Sequence, residues 1–340
     1  MNLILYLFLI LIFLYFINRI FLKYNFLVSE TGDRHQRFAS KNKIPLSGGI
    51  FLFLSFLYMV DDNILSFILF CFIVLLLGLF SDLKYIKSAF IRFLFQILIV
   101  LSFVVFNKLL ILNTNIYLLD KFLNNEFLNY FFVCFCILII INGSNFLDGL
   151  NTLNIGYYLL ISLVIYYLEY HQMLTVNGID INYVLSVIII LYLINFLNKV
   201  YLGDSGSYLF GFAFAVFLIN IYSWNQNISP FFIILLLWYP SYEILFSIIR
   251  KNVMNKSPME PDSNHFHHQI FYIIKKKFKF SMYYSNVLTA NLINLYNLVV
   301  FIISLNYISN SQIQFLLILL NIITYTFIYF KLFVIRYKKI

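Results

Sequence analysis

Asp82, Asp148 and Asp204 each sit at the mouth of a different apolar run, in the stretches GLFSDLKYIKS (78–88), NGSNFLDGLN (142–151) and NKVYLGDSGS (198–207). A carboxylate at the centre of a membrane helix costs roughly 2.5–3.5 kcal/mol on insertion scales, and all three avoid such a position. If they converge they repel one another unless protonated or neutralised. A divalent cation is the simplest neutraliser. An all-oxygen set suits Mg2+, which commonly takes one or two carboxylates and completes its shell with phosphate oxygens and water; Mn2+ is the alternative.

A second constellation is PDSNHFHHQ (261–269), which holds His265, His267 and His268, three of the chain's five histidines. Zinc stays open there, although no cysteine is near. Imidazoles also donate to phosphate oxygens, more strongly when protonated. Beside a carboxylate–metal centre, diphosphate recognition is the preferred reading. Glycines flank the acidic motifs: Gly203 and Gly206 around Asp204, Gly143 and Gly149 around Asn145 and Asp148, with Gly48 and Gly49 in KIPLSGG (43–49). They are expected to let backbone approach a ligand. Lys43, Lys84 and Arg92 supply cations for a phosphate.

Singly, each signal has a plainer explanation. An Asp at a helix mouth is ordinarily a solvated cap, GDSGS can be a turn with an N-cap, and HFHH can be a solvated loop. Glu243 and Arg250, seven residues apart on one run, read as buried bonding partners rather than catalysts. The joint pattern separates the readings, because five polar clusters fall on one side of a membrane.

The elements that must position these residues are membrane helices. The chain is 62% hydrophobic and 11% charged, against about a quarter charged in soluble domains. Apolar runs near 2–22, 44–60, 63–80, 89–106, 127–142, 153–169, 182–198, 206–223, 229–249, 285–306 and 312–334 predict about eleven transmembrane helices. The expected fold class is all-α, a polytopic integral membrane protein, with 1–340 as a single transmembrane catalytic domain. Placing the N-terminus outside puts 21 of the 23 Lys and Arg residues on the cytoplasmic side, leaving only Lys108 and Lys121 outside, as the positive-inside rule requires. The cytoplasmic set includes Arg34, Arg37, Lys41, Lys338 and Lys339. The C-terminus is then cytoplasmic, as are all five polar clusters, and the expected location is a bacterial inner membrane. The net charge of +9 is a topology signal with attraction to anionic lipid, and nothing in it points to nucleic acid. His35 and His171 read as incidental, and Asp61 and Asp62 as scattered outside acids. Cys71, Cys134 and Cys136 lie in apolar runs and imply neither disulfides nor zinc. The run after Met1 lacks the marks of a cleaved leader and reads as a permanent first span.

The five motifs, in order, resemble those of the polyprenyl-phosphate N-acetylhexosamine-1-phosphate transferase superfamily, also called glycosyltransferase family 4. IPLSGG, GLFSDLKYIKS, NGSNFLDGLNTLNIG, VYLGDSGSYLFGF and SPMEPDSNHFHH carry the resemblance from about 31 to 274. WYPSYEILFSIIRK (238–251) is similar to its sugar-nucleotide branch. The resemblance implies an active site in the cytoplasmic loops. It implies transfer of a HexNAc-1-phosphate from a UDP-N-acetylhexosamine to undecaprenyl (polyprenyl) phosphate, with UMP released and Mg2+ used. This is the first membrane step of cell-envelope polysaccharides such as O-antigen. By the same resemblance Asp82, Asp148 and Asp204 are catalytic, with Asp204 and Asp148 on the metal. Lys43, Asn142, Asn145, His265, His267 and His268 bind substrate. A homodimer is also implied.

Two positions depart from the family pattern. Ser81 stands where the first of two adjacent acids is usual, and Asn151 where many members have Asp. Loss of the first acid need not stop turnover. A phosphate monoester is largely dianionic near pH 7 and can attack without a base, so direct in-line displacement is favoured over an aspartyl intermediate. Two rival readings remain. One is a catalytically impaired member that binds polyprenyl phosphate. The other is a transporter, which should show mid-span polar groups or broken helices.

Overall fold

The computed structural model describes residues 3–29, 43–59, 64–258, 260 and 262–337. Arg34, His35, Arg37, Lys41, Asp61, Asp62, Lys338 and Lys339 lie outside these, as do Met259 and Pro261 of the histidine motif. Among the described residues every element is helical, and strand-like pairing is limited to the bridge between Val28 and Pro45. The helices are α1 (Leu3–Tyr24), α2 (Gly48–Phe56), α3 (Leu65–Asp82), α4 (Ala89–Phe106), α5 (Tyr117–Leu123), α6 (Glu126–Leu147) and α7 (Leu153–Tyr170). They continue with α8 (Ile181–Phe196), α9 (Gly203–Trp224), α10 (Pro230–Leu236), α11 (Trp238–Val253), α12 (Phe266–Phe278), α13 (Met282–Leu305) and α14 (Ser311–Tyr337).

Eight of these helices are long and apolar enough to cross a membrane, nine if the bent pair α10/α11 is one span. The shorter apolar helices α2, extended by a 3-10 turn to Met59, and α8 account for the remaining runs. The protein is thus an all-α multi-pass membrane protein, and each apolar run of the sequence has its helix.

Local chemistry sets the helix ends. Ser88, Asn125, Asp180, Ser229 and Ser281 cap α4, α6, α8, α10 and α13 through their side-chain oxygens, as N-caps do. The α10/α11 pair bends by 72°. Pro240 lies four residues after Leu236, so its ring cannot coexist with a straight helical carbonyl there. The freed Leu236 carbonyl accepts from Tyr157 Oη at 2.8 Å.

The buried centre is α9, packed between α2, α3 and α6. Its first turns are small, and this permits close crossings. A Cβ on Gly49 would lie 2.6 Å from Gly206 N, and one on Gly78 would lie 2.3 Å from Ser205 Cα. Gly49, Gly78 and Gly206 therefore serve helix packing. Gly143 likewise abuts the Pro240 carbonyl. For Gly49, Gly206 and Gly143 this corrects the expectation that they clear space for a ligand. Gly149 instead faces the His267 and His268 rings, and Gly203 has φ +69° at the turn into α9.

Candidate functional site at one end of the helix bundle

The three aspartates do converge, and the turn at Gly203 is the reason. Asp82, the last residue of α3, accepts the backbone N–H groups of Asp204 (2.8 Å) and Ser205 (3.1 Å). It thus supplies the cap that α9 lacks from its own chain, where Leu202 makes no side-chain cap. A carboxylate is stabilised at a helix N-terminus by the dipole and the free N–H groups. Asp148 ends α6. Burial raises its carboxyl well above the usual range, and Asp204 and Asp82 raise it further, against the Gly203 N–H.

Asp204 is held by a neighbour that the motif reading treated as a phosphate ligand. Arg92 Nη1 on α4 lies 2.6 Å from Asp204 Oδ2 and 2.6 Å from Ser81 Oγ. Ser81 also bonds to Asp204 Oδ2. Lys43, exposed, donates to Asn25 Oδ1 at 2.6 Å, so its bonded partner is none of the three aspartates. Its segment still reaches the site: Tyr201 N donates to Pro45 O (2.9 Å) and Gly48 N to Tyr201 O (3.0 Å). These bonds lock the first motif to the fourth.

The asparagines shape the walls. Asn142 donates to Gln96 Oε1 at 2.8 Å, tying α6 to α4. Asn145 accepts from Ser207 at 3.1 Å. Asn151 bonds through its amide to Asn198, and its backbone N–H goes to Asn286 Oδ1 at 2.8 Å. An Asp at 151 would offer Asn198 Oδ1 no donor, which rationalises the departure from the family pattern.

The histidines are not in a loop, contrary to expectation. His265 is the N-cap residue of α12, and His267 and His268 lie in its first turn. Their approach is anchored from two helices. Arg250 binds Asp262, the Asn264 carbonyl and Tyr329 Oη. Lys251 binds the Pro258 and Glu260 carbonyls at 2.9 and 2.7 Å. Arg336 on α14 binds the Ser263 carbonyl at 3.0 Å. His267 is fully buried, and both of its ring nitrogens lack a hydrogen-bond partner. Its ring centroid is 4.2 Å from that of His268. A Cβ on Gly149 would stand 2.7 Å from His267 Nε2 and 3.1 Å from His268 Nε2, so these imidazoles abut the residue next to Asp148. Burial pushes His267 down to about 3 and His268 well below the ordinary imidazole value. A buried nitrogen without a partner is costly, and such groups in native proteins commonly await a ligand or water.

The motif reading named Ser81, Arg92 and Glu243 without the partners seen here. Ser81 and Arg92 form a unit with Asp204, and Glu243 on α11 bonds to His265. A signal for each of the charged pair existed. Arg92 and Gln96 share one face of an otherwise apolar helix at i and i+4, and Glu243 shares a face with Arg250.

Residues 64–222, from the start of α3 to near the end of α9, match the family model Glycosyl transferase family 4. Across that segment the chain is similar to glycosyl transferase family 4. The segment contains all three aspartates, while Lys43 and the histidines lie outside it. A Bacillus subtilis protein named probable undecaprenyl-phosphate N-acetylglucosaminyl 1-phosphate transferase is 27% identical over 208 residues, covering 58% of this chain and 56% of that protein. An undecaprenyl-phosphate alpha-N-acetylglucosaminyl 1-phosphate transferase of Thermotoga maritima is 37% identical over 70 residues, 21% of this chain and 23% of its own length. The decaprenyl-phosphate N-acetylglucosaminephosphotransferase of Mycobacterium tuberculosis is 30% identical over 156 residues, 39% and 38% of the two chains. The chain spans about half the length of these curated relatives or less.

Proposed function

We propose that this chain acts as a glycosyl transferase family 4 enzyme, transferring a HexNAc-1-phosphate from a UDP-N-acetylhexosamine to undecaprenyl phosphate or a similar polyprenyl phosphate and releasing UMP. The observation that carries the reading is the juxtaposition at Gly149. Asp148, which feels the charges of Asp204 and Asp82, precedes it, and a buried imidazole with two unpaired nitrogens abuts it. A nucleoside diphosphate–sugar bridges such a pair of environments, with metal-facing oxygens toward the aspartates and the remainder toward the histidines. The names of these relatives point to N-acetylglucosamine as the first donor to test. The cytoplasmic side of an inner membrane, where UDP-sugars are made, is the matching location, and a homodimer fits the reading without being required by it.

Magnesium fits the donor set. Asp148 and Asp204 offer hard oxygens whose mutual repulsion a cation relieves. Among the described residues no three acidic, His or Cys side chains surround one point, so substrate oxygens and water would complete the shell, as Mg2+ prefers. When bound, the cation would neutralise charge on the diphosphate. The chain's own residues do the rest. Arg92 and Ser81 fix the Asp204 carboxylate. Asp82 fixes the start of α9. The histidines hold the leaving phosphate, where donors aimed at developing charge are worth most. The lipid phosphate dianion attacks the β-phosphorus in line, the bond from β-phosphorus to its bridging oxygen breaks, and UMP leaves.

The capture of Asp204 by Arg92 and Ser81 favours a second reading, a non-catalytic member that binds polyprenyl phosphate. A transporter is disfavoured. The Leu236 carbonyl at the break accepts from Tyr157, and the buried Asn294 and Asn297 donate to backbone carbonyls, which packs these groups into the bundle. Purified protein is to be given undecaprenyl phosphate, Mg2+ and a panel of UDP-N-acetylhexosamines, with and without EDTA. Metal-dependent UMP and lipid-linked sugar establish the transferase. Lipid binding without product from any donor establishes the second reading.

A further inference from the structure

Glu243 has no part in the reaction outlined above, yet it is a carboxylate only 1% exposed. Such a group persists only when its oxygens are well bonded. Oε1 accepts from His265 Nδ1 at 2.9 Å and from the Phe266 backbone N–H at 3.3 Å. Oε2 accepts from Tyr325 Oη on α14 at 2.7 Å. One carboxylate from α11 therefore makes two bonds at the start of α12. It fixes the proton of His265 on Nδ1, leaving Nε2 outside the pair. It also satisfies the N–H of the first residue of α12, whose own N-cap residue His265 makes no side-chain cap. His267 and His268 follow within the same turn, and the His265 and His267 rings lie parallel within 6°, 5.6 Å apart. A shift of α12 would carry all three imidazoles with it.

We infer that Glu243, braced by Tyr325, is the positioning residue of the three-histidine cluster, setting the His265 tautomer and the placement of the α12 first turn for nucleoside diphosphate binding. The inference rests on the diphosphate reading of the histidines. Partners that orient a functional imidazole commonly matter about tenfold or more when removed. Glu243 does not touch substrate in this scheme, so its effect should be on affinity and on the histidine itself.

The test uses the full chain in lipid nanodiscs, with 15N-labelled histidine and UDP as probe. The His265 signal is assigned by its disappearance in His265→Gln. Wild type should show an Nδ1-protonated His265 and bind UDP. Glu243→Ala should lose that signature and bind UDP about tenfold more weakly. Glu243→Gln, which keeps an acceptor oxygen, should recover most of both. If Glu243→Ala does not fold, Tyr325→Phe carries the test, with a smaller shift of the His265 signal and a several-fold weaker UDP. A wild-type His265 signal and UDP affinity in the folded Glu243→Ala protein, or in Tyr325→Phe where that variant carries the test, overturns the inference. Wild type that shows the Nδ1 signature but binds no UDP overturns the diphosphate reading instead, so the two failures are distinct.

Discussion

Arg92 Nη1 stands 2.6 Å from Asp204 Oδ2, with Ser81 Oγ within hydrogen-bonding reach of both. A serine at 81 brings no second carboxylate to compete with Asp204 for the guanidinium. Removing the hydroxyl deletes its bonds to Asp204 and Arg92 but leaves the Arg92–Asp204 pair in place, whereas removing Arg92 leaves Asp204 facing Asp82 and Asp148 uncompensated. Ser81→Ala should therefore keep turnover within about tenfold of wild type, while Arg92→Gln should lose about 10²-fold. UMP release at saturating donor separates them. A Ser81→Ala loss as deep as that of Arg92→Gln would give Ser81 a direct chemical role.

Asp204 itself should not tolerate neutralisation. Asparagine preserves shape and the contact with Arg92 through its carbonyl, but offers the cation no charge. Asp204→Asn should cut UMP release by at least about 10²-fold with expression and detergent-solubilised monodispersity unchanged. Near-normal activity in that variant would remove Asp204 from the metal site.

Burial holds His267 neutral down to about pH 3, against an ordinary 6.5, and this has a thermodynamic consequence. The unfolded chain takes up its proton near 6.5 and the folded chain does not until about 3, so the stabilising contribution is complete above 6.5 and is lost progressively as pH falls toward 3. The melting temperature of ligand-free protein should drop between about pH 7 and about pH 5, and His267→Gln should flatten that dependence. A diphosphate placed against the ring would favour the imidazolium, so UDP binding near pH 6.5 should take up protons. Calorimetry in two buffers of different ionisation enthalpy reads this directly. Identical heats in both would mean that UDP leaves His267 neutral.

Much of this was legible in the sequence because the bilayer leaves few options. Apolar runs of membrane length had to become helices. Asp82, Asp148 and Asp204 announced themselves by interrupting such runs at their ends. What the one-dimensional pattern did not carry was who bonds to whom. Arg92 reads as a spare cation until α4 is laid against α9. Gly49 and Gly206 read as ligand clearance until two backbones are seen to cross there. His267 and His268 read as loop residues because the helical period of α12 is masked by its lysines, and its cap comes from Glu243, 23 residues earlier.

Gly149 offers the most selective probe of the proposed site. It lies at the turn after α6, and its φ is not among the left-handed ones, so alanine meets no backbone penalty there. Its added methyl would instead fall 2.7 Å from His267 Nε2 and 3.1 Å from His268 Nε2, inside van der Waals contact, and would push the imidazoles off the Asp148 side. Contrast Gly49→Ala, whose methyl would meet the Gly206 backbone at 2.6 Å. Two helices cannot part there cheaply, and overpacking of this kind costs about 1–3 kcal/mol. Gly149→Ala should thus keep its melting temperature close to wild type yet weaken UDP binding by about tenfold or more, the size of one lost charge-assisted bond. Gly49→Ala should melt early and, at a temperature where it remains folded, bind UDP normally. The reverse pattern would move the nucleotide away from the Gly149–His267 contact and toward the crossing of α2 and α9.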